Sequence, residues 1–167
     1  MRRKSKTLSP RTSRHLSALV LVLLTISSRR LAAEENALNI HPVEQIGLIL
    51  KGLCDDLSLQ ASIEVSIVAH NERMVSVERG ISHDAFLLSF DEQFLTSLTD
   101  EELTAAVAHE LGHIWIFSHH PYLQTEALAN QIAMRTVSRE SLKKMYLKLW
   151  AHLGLSGNIS ELLGPEN

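Results

Sequence analysis

Apolar residues recur at three- and four-residue spacing from Val43 through Ile46, Ile49, Leu50 and Leu53 to Leu57, the period of a helix that buries one stripe. His41-Pro42 opens this stretch, and proline suits a first helical turn, where its missing N–H would have had no partner. The period then drops to two: Ile63, Val65, Ile67 and Ala69 share one face of a strand expected over Ile63 to His70. Asn71-Glu72-Arg73 reads as a turn into a second strand, Met74 to Arg79, which Gly80 ends. A third strand is expected at Ala85 to Phe90, followed by a helical turn or two.

The best-marked helix begins at Thr99. Thr99-Asp100-Glu101-Glu102 reads as a capping box, in which the threonine hydroxyl accepts from one free backbone N–H and the third following residue reaches back to another. Leu98 and Leu103 are spaced to clamp it, and the acids complement the positive end of the helix dipole. This helix is expected to run to about Ser118, stopped by His119-His120-Pro121. A second helix is expected from near Pro121 to about Val137, and a third from a Ser138 cap to Gly154. The residues at 156–167, with Gly157, Gly164 and Pro165, read as a loosely ordered tail. The pattern predicts an α+β domain over 34–155, with a short mixed or antiparallel sheet packed on the Thr99 helix and its antiparallel successor.

Charge separates the first thirty residues from the rest. Eight of the 16 Lys and Arg precede Glu34, and none of the 19 acids does, so the remainder carries a net charge of −11. An acidic body without a basic stripe excludes a nucleic-acid binder, which must neutralise phosphates. Leu16 to Ile26 is an apolar run of 11 residues behind a basic, acid-free start. That is the layout of a secretory signal and short of the ~20 residues that span a bilayer. Residues 1–33 therefore predict export, periplasmic or secreted, with a retained membrane anchor through residues 16–26 as the alternative. The single cysteine, Cys54, excludes an intrachain disulfide and any multi-cysteine zinc cluster.

His109-Glu110-Leu111-Gly112-His113 is an H-E-x-x-H pentad inside the capped helix. Its histidines lie one turn apart on one face, so both imidazoles can reach one Zn(2+) ion, with Glu110 beside them to act on a water. A catalytic zinc needs a third ligand and an open position. If the helices fold back about 119–120, His113 and Glu126 lie at the same height, as do His109 and Asn130. Glu126 can then complete the ligand set, while the Asn130 oxygen can accept the outer N–H of an imidazole. His119, six residues past His113, is the alternative third ligand, with His120 beside it. His119 occupies the last position of the H-E-x-x-H-x-x-G-x-x-H arrangement, but here Ile116 stands where that arrangement needs glycine. Tyr122, His120 and His152 are the candidate donors to a developing oxyanion.

The run Leu98-Thr99-Asp100-Glu101-Glu102-Leu103 through Ala108-His109-Glu110-Leu111-Gly112-His113 resembles the active-site helix of HtpX-type and CAAX-prenyl-protease-type zinc metallopeptidases, which are gluzincins. Glu126-Ala127-Leu128-Ala129-Asn130 resembles their E-x-x-x-D motif, with Asn where Asp is usual, and Asp84-Ala85-Phe86-Leu87-Leu88 resembles the strand bordering their cleft. The resemblance implies a zincin-like fold, His109, His113 and Glu126 as ligands, Glu110 as general base and Asn130 as the partner of a ligand histidine. It spans roughly Ile63 to Val137. The 12 residues between His113 and Glu126 are fewer than is common in that family, which implies a minimal member. The expected activity is hydrolysis of a peptide or protein substrate laid along an edge strand near Ala85 to Ser89. The rival is an exported, non-catalytic protein that binds zinc or a partner.

Overall fold

The structure, a computed structural model, describes residues 41–82 and 84–165. The expected signal or anchor at 1–33 lies outside the described residues. Among those described, no helix is long and apolar enough to cross a membrane.

Helix α1, Pro42–Asp56, buries Ile46, Leu50 and Leu53, the stripe its periodicity marks. Strands β1, Ser62–Val68, β2, Val75–Arg79, and β3, Ala85–Asp91, form a three-stranded sheet in the order β1-β3-β2. β1 runs parallel and β2 antiparallel to β3, so the sheet is mixed. Register aligns Ile67, Phe90 and Val75 in one row and Val65, Leu88 and Val77 in the next, giving the apolar face that meets the helices. β3 takes the centre, with Phe86, Leu88 and Phe90 all buried on one face. Both its edges are consumed by neighbours, which corrects the expectation that Ala85 to Ser89 receives a peptide. Among the described residues the strand with a free edge beside the cleft is β2.

One carboxylate holds the far end of the sheet. Asp91 Oδ1 accepts from the Gln93 and Phe94 backbone N–H groups, 2.9 Å each, capping α2, Glu92–Ser97, and Oδ2 accepts from Asn71 N–H at 3.2 Å. The Phe94 hydrogen bond is the largest influence on this carboxyl and holds its pKa below the usual value, with Asn71 and Gln93 adding to it against the cost of burial. Asp91→Ala is expected to cost about 1–2 kcal/mol. Because the folded-state pKa is depressed, this contribution is complete above the unfolded value of about 4 and fades as pH falls below it. Denaturant titrations of both proteins at neutral and acid pH check this: the gap between them should narrow in acid.

Helix α3, Asp100–His119, is the central element, with Ala105 through Gly112 buried without interruption. Its capping box forms as expected: Thr99 Oγ1 accepts from Glu102 N–H at 3.3 Å, and Glu102 Oε2 accepts from Thr99 N–H at 2.8 Å. The same first turn docks α5, Arg139–Leu153, through Glu101 to Lys144 at 3.0 Å and Glu102 to Lys148.

Three boundaries depart from expectation, one of them the end of the helix after α3, expected at about Val137 and found at Ala133. The helix expected from Pro121 starts only at Glu126, as α4, Glu126–Ala133, because Thr125 Oγ1 caps it by accepting from Leu128 N–H at 3.1 Å. The segment after Leu155, expected to be loose, carries α6, Ile159–Leu163, with Leu163 buried. Gly157 lets the chain cross Trp150 on its way there: a Cβ at that position would lie 2.2 Å from the indole. Cys54 is half-buried against the core, and burial pushes its thiol pKa up.

Candidate metal centre

Helix α3 turns His109 and His113 toward the same point: their Nε2 atoms are 3.2 Å apart, with the rings edge to face. Glu126, the first residue of α4, brings Oε2 to 3.1 Å from His109 Nε2 and Oε1 to 3.5 Å from His113 Nε2. The ligand atoms of these three residues lie within 4.8 Å of one another. Gly112 makes this approach feasible, because a Cβ there would sit 2.3 Å from the Ala129 carbonyl oxygen of α4.

The outer ring nitrogens decide what the inner ones offer. Asn130 Nδ2 donates to the Leu162 carbonyl at 3.2 Å, which turns Oδ1 to His109 Nδ1 at 2.9 Å. Gln124 Nε2 donates to the His113 carbonyl at 3.2 Å, which turns Oε1 to His113 Nδ1 at 3.1 Å. A carbonyl can only accept, so it fixes each amide's orientation, and each amide oxygen then requires a hydrogen on Nδ1. Neutral rings so held aim bare Nε2 lone pairs at one another and at a carboxylate. Such a group needs a cation at its centre, a proton or a metal ion.

The approach of the two rings and the carboxylate suits a small ion. Ligand bonds of about 2.0–2.1 Å imply tetrahedral edges of about 3.3–3.4 Å; the two nitrogens are 3.2 Å apart, and each meets its own oxygen of the Glu126 carboxylate, at 3.1 and 3.5 Å. Two imidazoles and one carboxylate form a ligand set used by catalytic zinc, which leaves a fourth position free.

Electrostatics separates the two carboxylates. When a proton rather than a metal ion holds the group together, hydrogen bonds from His109 and His113 hold the Glu126 carboxyl far below the usual range. Burial pushes Glu110 upward, against the pull of the same two histidines and of the Val77 backbone N–H. Burial also opposes charge on His113, but its hydrogen bonds to Glu126 and Gln124 outweigh that and raise its pKa.

These groups open into a cleft of about 630 Å³ walled by Val75, Ser76 and Val77 of β2, by Phe117 of α3, and by Met145, Tyr146 and Leu149 of α5. The proposed oxyanion donors stand elsewhere. Tyr122 is 97% exposed, and His120 and His152 are exposed on the surface; none of the three lines the cleft. His152 packs edge-on against Phe94. His119 also points away: α3 stays helical through Ile116, so His119 stacks on Trp115 at 4.0 Å and donates to the Trp115 carbonyl at 2.8 Å.

Three contributors escaped the sequence reading. Gly112 carried a signal, since a glycine inside a strong helix usually has a packing reason. Gln124 and Tyr146 carried none, because nothing local ties either to a histidine.

No protein-family model and no curated protein matches the sequence. Among solved structures the chain is similar to the crystal structure of the metallopeptidase zymogen abylysin of Pyrococcus abyssi, at 17% identity and a TM-score of 0.48, covering 68% of this chain and 99% of that one.

Proposed function

We propose that this chain is a zinc metallopeptidase that hydrolyses internal peptide bonds, with His109, His113 and Glu126 as ligands and Glu110 as general base. One observation carries the reading: two lone-pair nitrogens and a carboxylate converge within reach of one ion, with the buried Glu110 beside them on an open cleft. When bound, zinc supplies Lewis acidity toward a water and toward the scissile carbonyl. Glu110 accepts the water's proton and returns it to the leaving amine, and burial moves its pKa in the direction this task needs. Asn130 and Gln124 keep the ligand rings in orientation. The free edge of β2 offers backbone groups to an extended peptide, so main-chain pairing would position the substrate. The spacing Glu126-x-x-x-Asn130 favours the gluzincin arrangement within this class, and residues 1–33 are proposed as an export signal.

The purified full chain with one equivalent of zinc is expected to cleave casein, to stop when zinc is chelated, and to resume when zinc returns. Full zinc occupancy without cleavage would remove the hydrolase and leave a zinc-binding module.

A further inference from the structure

Asn130 is completely buried, and none of its side-chain partners belongs to its own helix. Nδ2 donates to the Tyr146 hydroxyl of α5 at 3.0 Å and to the Leu162 carbonyl of α6 at 3.2 Å. Oδ1 receives His109 Nδ1 at 2.9 Å and the Tyr146 hydroxyl at 3.2 Å. That hydroxyl also lies 3.3 Å from His109 Nδ1. The amide's hydrogen-bonding capacity is therefore spent, and its direction is set from the C-terminal half of the chain.

We propose that Tyr146 and the Leu162 carbonyl are positioning groups for the metal centre, so that docking of α6 and metal binding at His109 are coupled through the Asn130 amide. The chain of causes is short. The Leu162 acceptor fixes which end of the amide faces the ring. The amide oxygen then keeps a hydrogen on Nδ1, and Nε2 keeps its lone pair for an ion. With α6 undocked the amide can turn, and a ring that carries its only hydrogen on Nε2 has no ligand atom to offer at that position. Linkage requires the converse: an ion held at Nε2 favours the amide orientation that retains Leu162. The same geometry accounts for a neutral residue at 130. A carboxylate has no hydrogen to give, and it would face the Leu162 carbonyl with nothing between the two oxygens.

The inference rests on the zinc reading for two of its three readouts, and the metal-free ring shifts are independent of it. Three measurements on the full chain test it: the nitrogen shifts of the His109 ring in metal-free protein, zinc affinity by competition with a chromophoric chelator, and amide exchange of α6 with and without zinc. Wild type should carry hydrogen on His109 Nδ1, and zinc should slow exchange across α6. Tyr146→Phe removes only the hydroxyl, while Leu163→Ala loosens α6 through its buried anchor. Both should lose part of the Nδ1 hydrogen signal and bind zinc about tenfold more weakly. Zinc affinity within twofold of wild type in both variants would overturn the proposal, as would α6 exchange that ignores zinc. If either variant fails to fold, the wild-type exchange comparison still decides. If wild type takes up no zinc, the enzyme reading fails, and the metal-free ring shifts in wild type and variants still judge the coupling.

Discussion

Glu110→Gln is expected to bind zinc as tightly as wild type and to lose about 10²–10⁴-fold in kcat/KM. Glutamine keeps the shape of the side chain but cannot take a proton. Because burial already disfavours the Glu110 carboxylate, the variant should melt no lower than wild type, the trade of stability for chemistry seen at functional sites. Glu126→Ala should behave in the opposite way. It removes the carboxylate that meets the two Nε2 atoms, so zinc is lost first and activity with it. Metal analysis beside a peptide-cleavage assay separates the two. Zinc retained in Glu126→Ala would end the assignment of the third ligand, and cleavage by Glu110→Gln at wild-type rate would end that of the base.

Gly112→Ala carries the second large effect, and its sign runs against helix propensity. In an exposed helix interior alanine is favoured over glycine by about 0.8–1.0 kcal/mol. At Gly112, however, the new methyl would lie 2.3 Å from the Ala129 carbonyl oxygen, 2.9 Å from its carbon and 3.0 Å from its Cα. These are backbone atoms of α4 and cannot rotate aside, so the helix must move outward by about 1 Å to reach ordinary contact. Overpacking of this kind costs typically about 1–3 kcal/mol. Glu126 sits on that helix, and a shift of about 1 Å at a catalytic constellation costs about 10²-fold in rate. Zinc affinity should fall with it. Gly52→Ala in α1 is the control: a Cβ there meets nothing within 4 Å, so stability should hold or rise. Thermal melts and zinc competition on the two variants give the comparison, and equal behaviour would show that α4 does not need the glycine.

The legible elements were those whose physics is local. The apolar stripe of α1, the two-residue period of β1 and the Thr99–Glu102 capping box need only neighbours within a few residues, and the structure contains all three. The alignment of His109 and His113 is equally local, because one helical turn sets it. Glu126 and Asn130 could be matched to them by folding the chain back, even though the start of α4 was misplaced by five residues. That error traces to a competition between two start signals: Pro121 suits a first turn, but Thr125 caps.

Other features were beyond sequence reading because they depend on residues distant in the chain. Whether β3 lies at an edge or in the centre depends on how all three strands pair, and no single strand contains that information. Tyr146 reaches His109 across 37 positions and Leu162 reaches Asn130 across 32. Their hydrogen bonds exist only after α5 and α6 have packed, so no periodicity or spacing announces them. By itself the sequence determined which residue types could gather an ion and on which helix face the imidazoles stand. The tertiary structure alone decided the rest: that Gln124 orients His113, that Tyr146 and Leu162 hold Asn130, and which strand edge stays open. Side-chain identity and helical period are properties of short segments, whereas convergence is a property of packed ones.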